Sequence, residues 1–194
     1  MYLFFGKLLA ATLCSVLFVT SCGDDDLPTS SFDGAIVASV ENQTDYAAAG
    51  VTKAVALIEG MLNDVEVNGT ASNTGFTMNL PSTLERGLLQ PINILGAKVS
   101  RNNVRWAEIW EIDALKDTDL IGAFVYENED GDTSFRCFFA YAERKVTITG
   151  VDDDDCTWNV SLKQGWNRVF LITTGSSQEM TTKDPGNLKW YFLD

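Results

Sequence analysis

Histidine is missing from all 194 residues. Its absence removes the imidazole base of Ser-His-Asp and Cys-His machinery, imidazole proton shuttles, and His-ligated zinc or iron. Positive charge is scarce: 14 Lys and Arg stand against 27 Asp and Glu, a net charge of -13. Such a chain has nothing with which to neutralise phosphates, so nucleic acid is excluded as a partner, and attraction to anionic lipid is disfavoured. No phosphate-binding loop of the Walker type and no glycine fingerprint after a strand is present. Long helical periodicity is also lacking. Any catalysis would have to run on carboxylates, Lys, Tyr, Ser or Cys, and no convincing set of these stands out as enzymatic.

What is present begins with an apolar run. Lys7 and the amino terminus supply positive charge, and Leu8 to Val19 supply roughly a dozen mostly apolar residues, the length of an export core and short of the ~20 that span a bilayer. The run ends in Val19-Thr20-Ser21-Cys22, followed at once by Gly23-Asp24-Asp25-Asp26. The first tetrad resembles a lipobox, the cleavage site of bacterial lipoproteins. The acidic triad resembles the export tag of surface lipoproteins of the Bacteroidetes. That resemblance implies a signal peptide over 1–21, lipidation at Cys22, an export tag of Asp24, Asp25 and Asp26, and an outer-membrane protein held by its lipid and facing outward. Several acyl chains would hold it firmly where one would not. Residues 22–32 then form an acidic tether, and 33–194 one domain with a candidate sub-division near 82–97.

Strand signals dominate the body. Ala35 to Val40, Ala54 to Glu59 and Phe76 to Leu80 are short β-prone runs, with turns expected at Asn68-Gly69 and Thr74-Gly75. Leu120 to Tyr126, Phe135 to Tyr141, Val146 to Val151, Cys156 to Leu162, Val169 to Thr173 and Leu188 to Leu193 follow. Ser82 to Gln90 is the expected connecting helix, capped by Ser82 or Thr83 and stopped by Pro91. The fold class is therefore all-β, an antiparallel β-sandwich with one short connecting helix. Short links in the second half predict a meander in which Val146 opposes Tyr141, Ile148 opposes Phe139 and Trp158, and Gly150 opposes both Cys137 and Cys156. Val104 to Ile112 reads as a strand that puts Trp106, Glu108, Trp110 and Ile112 on one face.

Three sets of side chains are candidates for chemistry. Cys137 and Cys156, the pair left once Cys14 departs with the signal, are the candidate disulfide, although the meander places them about two strand spacings, roughly 9–10 Å, apart and disulfides need less. Glu127, Glu129, Asp130 and Asp132 in one loop and Asp152, Asp153, Asp154 and Asp155 in another are candidate calcium ligands, with solvated hairpin tips the competing reading. Trp106, Trp110 and Trp166 are the candidate ligand platform, with core packing as the alternative. No other cofactor is indicated.

The segments Val146 to Gly150, Val160 to Phe170 and Asp184 to Leu193 resemble the carboxyl ends of surface lipoproteins of gut Bacteroidetes, a resemblance that implies no particular activity. The expected function is thus a lipid-anchored, surface-displayed binding or structural protein contacting a glycan or an envelope protein. A carboxylate-dependent polysaccharide hydrolase is the alternative.

Overall fold

The computed structural model describes residues 32–60 and 64–194. Cys22, Asp24, Asp25 and Asp26, and with them the signal, lipidation and export-tag expectations, lie outside the described residues. The chain runs β1 (Ala35–Ser39), α1 (Gln43–Ala49), β2 (Lys53–Ile58), β3 (Val65–Ser72), β4 (Gly75–Asn79), a 3-10 turn (Arg86–Leu88), β5 (Gln90–Pro91), β6 (Lys98–Val99), β7 (Arg105–Ile109) and β8 (Ile112–Lys116). It continues through β9 (Asp119–Asp130), β10 (Thr133–Ala142), β11 (Val146–Val151), β12 (Cys156–Leu162), β13 (Gly165–Thr174), β14 (Ser177–Thr181) and β15 (Lys189–Leu193). The protein is all-β with one short helix, and the strands are hydrogen-bonded into a single mixed sheet that bends around two apolar cores.

The first core is walled by seven strands in the order β1-β4-β3-β2-β8-β9-β15, with side chains of β7, β10 and β13 completing it. A parallel bridge from Val40 to Trp190 brings the first strand back beside the last. Close approach at this wall dictates glycine: a Cβ at Gly122 would overlap the carbonyl oxygen of Leu193. Helix α1 plugs one end. Its Tyr46 is buried among Phe124, Phe192 and their neighbours, and the phenol donates to the carbonyls of Ser72 and Gly75 at 2.7 and 2.9 Å. Asn42, at the helix start, does not cap it. Its side-chain amide instead exchanges two hydrogen bonds with the backbone of Phe192, at 2.6 and 2.9 Å, and so ties the helix to β15.

The second core is enclosed by β5-β7-β10-β13-β14-β12-β11-β6. Strand β10 is the wall between the two. Phe138, Ala140 and Ala142 enter the second core while Phe139 and Tyr141 enter the first. Burial on both faces is why Cys137 to Ala142 reads as one unbroken apolar run. The segment 82–97 carries the chain between cores: Leu88 and Leu89 belong to the first, Ile92, Ile94 and Ala97 pack against the second.

Several expectations are corrected by the pairing. The α-helix is Gln43–Ala49, and Ser82 to Gln90 contributes only the 3-10 turn, because Glu85 ahead of it and Leu89 behind it are extended. Asn68-Gly69 lies inside β3, not in a turn; glycine is there because a Cβ would meet the Thr77 carbonyl of β4 at 2.7 Å. The meander does not form. β10 pairs with β13 along its whole length, so Glu143 to Lys145 arches from β10 to β11 across the second core instead of turning a hairpin. β11 does pair with β12, two residues out of the expected register: Gly150 opposes Trp158 and Ile148 opposes Val160. β14 wedges between β12 and β13 and runs parallel to β12. Among the described residues no helix is long and apolar enough to cross a membrane.

Candidate functional site

The site is made by a fork. β9 and β10 pair from their hairpin as far as Tyr126 and Cys137, then separate. β7 runs in along β10 as far as Ile109 opposite Phe139, and β8 leaves along β9 from Ile112 opposite Phe124. Trp110 and Glu111 turn the chain from one branch to the other. Alternation breaks there: Ala107 and Ile109, then Ile112 and Ala114, point into the first core, which leaves two successive residues outward. Ile112 therefore does not share the face of Trp110, and the expectation for that residue is corrected by this local break. Trp106, Glu108 and Trp110 do share a face, as strand alternation requires.

That face is one wall of a cleft of about 650 Å³, lined also by Leu57 and Glu59 at the end of β2, Gln90, Glu111, Asp113 and Arg136. The volume lies in the range of small-ligand sites. The indole of Trp110 stacks on Phe138 of the second core, 4.0 Å between centroids and 15° between planes, yet 40% of the residue stays exposed. The core thus fixes a flat aromatic surface in an open cleft. Trp106 is half-buried, its ring 6.4 Å from that of Trp158.

Burial between the indoles raises the Glu108 carboxyl to about 7, partly offset by a hydrogen bond from Trp110. Asp113 is raised too, first by burial and then by the neighbouring charges of Glu111 and Glu66. Arg136 is the only cation among the lining residues, and it is engaged by Glu111 at 3.6 Å. Its Nε is buried without a hydrogen-bond partner. A neutral carboxyl at Glu108 can donate a hydrogen bond or a proton, which an ionised carboxylate cannot.

Other predicted residues fall elsewhere. Trp166 is 3% exposed and donates its indole N–H to the Pro81 carbonyl at 2.8 Å, so it packs in the first core and forms no platform. Cys137 and Cys156 are free, buried thiols. Through β13 and β14 they stand three strand spacings apart and three residues out of line along β14, Thr181 against Gln178, which excludes the candidate disulfide. Burial pushes both thiols up, away from the reactive thiolate.

The two acidic loops do lie at one end of the sheet, but the β13–β14 hairpin stands between them: Thr133 pairs with Thr174, and Cys156 with Gln178. Glu127, Glu129 and Asp130 are strand residues of β9, and Glu127 sits in register between Arg136 and Lys189. Asp152 accepts from the backbone N–H groups of Asp154 and Cys156 at 3.0 and 2.9 Å, and from the Trp158 indole at 2.7 Å. Its carboxylate is spent on the turn. Among the described residues no three acids are grouped to hold a metal ion.

Sequence reasoning missed Glu59, Gln90, Glu111, Asp113 and Arg136 as partners of the two tryptophans. Glu111 and Asp113 directly follow Trp110 in the chain, whereas Glu59, Gln90 and Arg136 come from three other places and reach the cleft only through the strand pairing. No protein-family model, no curated protein and no solved structure matches this chain.

Proposed function

We propose that the chain is a lipid-anchored, surface-displayed binding protein whose β domain holds a sugar chain in the Trp106–Trp110 cleft. The observation that carries this reading is the shared cleft itself. A flat indole backed by a rigid core offers the apolar face of a sugar ring a stacking surface, and the carboxylates beside it accept hydrogen bonds from hydroxyls. Lipidation at Cys22 rests on the lipobox resemblance and sets the display side. A glycan array probed with the purified chain tests the cleft. Trp110→Ala is expected to weaken the strongest sugar hit about tenfold or more while the fold is retained, and an unchanged affinity refutes the assignment. Loss of acyl labelling and of membrane association in Cys22→Ser tests the anchor.

One observation favours a second reading, a carboxylate-dependent hydrolase: Glu108 is a partly buried acid held near neutrality with further carboxylates in the same cleft. Release of reducing ends from the glycans that bind, abolished by Glu108→Gln with binding intact, would replace the binder by the enzyme.

A further inference from the structure

The cleft is unbalanced in charge. Glu59, Glu108, Glu111 and Asp113 line it, Glu66 on β3 crowds Asp113 from behind, and Arg136 is the single lining cation, already shared with Glu111. An anionic ligand would meet an excess of acids over the one lining cation. A neutral sugar would gain from the indoles and from hydrogen bonds alone. An ammonium group gains from three sources at once: Coulomb attraction to Glu59 and Asp113, which no cation among the lining residues pairs, three N–H donors for the carboxylate oxygens of the cleft, and the electron-rich faces of Trp106 and Trp110. From this arrangement we infer that the ligand of the cleft is an amine-bearing, cationic sugar chain of the glucosamine type. The inference rests on the sugar-binding reading above and adds the chemical class.

The test compares two probes of equal length, the hexasaccharide of glucosamine and that of N-acetylglucosamine, titrated into the full chain at about pH 5.5, where the ring amine, made more acidic than an alkyl amine by its neighbouring oxygens, still holds its proton. The amine form is expected to bind about tenfold tighter or more. The double variant Glu111→Gln with Asp113→Asn is expected to bring the two affinities together, and Arg136→Gln to widen the gap. The second variant adds no buried charge and guards against a misfolded first one. Equal affinities, or tighter binding of the acetylated form, both dependent on Trp110, would overturn the cationic class and leave sugar binding standing. No binding of either hexasaccharide would overturn both readings. A trilysine peptide that binds more tightly than either sugar would overturn the sugar identity.

Discussion

Two acidic regions of this molecule behave in opposite ways. The turn Asp152–Asp155 concentrates four carboxylates in sequence, and the cleft takes Glu108, Glu111 and Asp113 from one stretch of six residues and Glu59 from the end of β2. In the turn, the Trp158 indole and two backbone N–H groups converge on Asp152 and hold its carboxyl below the usual range. In the cleft, burial without a compensating cation lifts Glu108 to about 7. What decides a carboxylate's role is the donors it meets, not how many acids stand beside it. In the turn, the Asp152 carboxylate is saturated from within. The cleft gives Glu111 a cation and Glu108 an indole, and leaves Glu59 and Asp113 with no cation among the lining residues.

The contrast is broken most severely by removing the support of the cleft. Phe138 is fully buried and carries the Trp110 ring on its face. Phe138→Ala is expected to cost about 3–5 kcal/mol of stability through lost burial and the cavity left behind, measured by denaturant unfolding, and to lose cleft binding as Trp110 loses its platform. Binding that survives undiminished in the folded variant would mean that the second core does not position the indole.

Next in size is the pH response. Glu108 titrates near 7 in the folded chain and near 4.5 in the unfolded one. The folded state keeps a proton that the unfolded state releases between these values. The stability contributed by neutral Glu108 is therefore complete below about pH 4.5, falls as the pH rises to about 7, and is flat above. The span is about 2 kcal/mol once partial exposure to water is allowed for. Glu108→Gln should flatten this limb and exceed the parent in stability above pH 7. Parallel unfolding free energies for the two proteins across that window would contradict the burial of this acid.

Asp152 carries the opposite sign. Its folded value lies below the ordinary 3.8, so its contribution is present above that value and lost as the pH falls through the folded one. Asp152→Asn leaves the turn short of an acceptor. Its melting temperature should lie below the parent's at neutral pH and converge with it in strong acid. A difference that persists undiminished in strong acid would mean that the carboxylate's charge is not what holds the turn.

How much of this could be read beforehand depends on distance along the chain. Runs with local signals were legible: the strand at Phe135 to Tyr141, the terminal strand at Leu188 to Leu193, and the alternation that puts Trp106, Glu108 and Trp110 on one side. Ile112 was not, because the break at Trp110-Glu111 reverses alternation with no special residue to announce it. A three-residue link such as Glu143–Lys145 serves a hairpin or an arch equally well, and only the competing partner β13 decides. β14, Ser-Gln-Glu-Met-Thr, has one apolar residue and no pattern to betray it. Helix α1 offers a single core residue, Tyr46, and is held by the Asn42 and Tyr46 side chains reaching residues far along the chain. The cleft was half legible: its aromatic face is local, while its charged lining depends on which strands the fork brings together.

The smallest effect separates the four aspartates of the turn from one another. Asp155 adopts φ 62°, the left-handed conformation that closes a three-residue hairpin loop, where glycine is the natural occupant. Asp155→Gly relieves that backbone cost and removes one of four adjacent charges, at the expense of a freer unfolded chain. The two effects nearly cancel, and a gain of up to about 0.5 kcal/mol is expected. Asp155→Ala removes the same charge but keeps a Cβ in the left-handed region and should cost about 1 kcal/mol. A glycine variant more stable than the alanine one assigns this position to backbone geometry, which leaves Asp152 as the aspartate whose carboxylate the turn requires. Equal stabilities would mean that charge, not conformation, governs Asp155, and would make the turn more like the cleft than the hydrogen bonds of Asp152 imply.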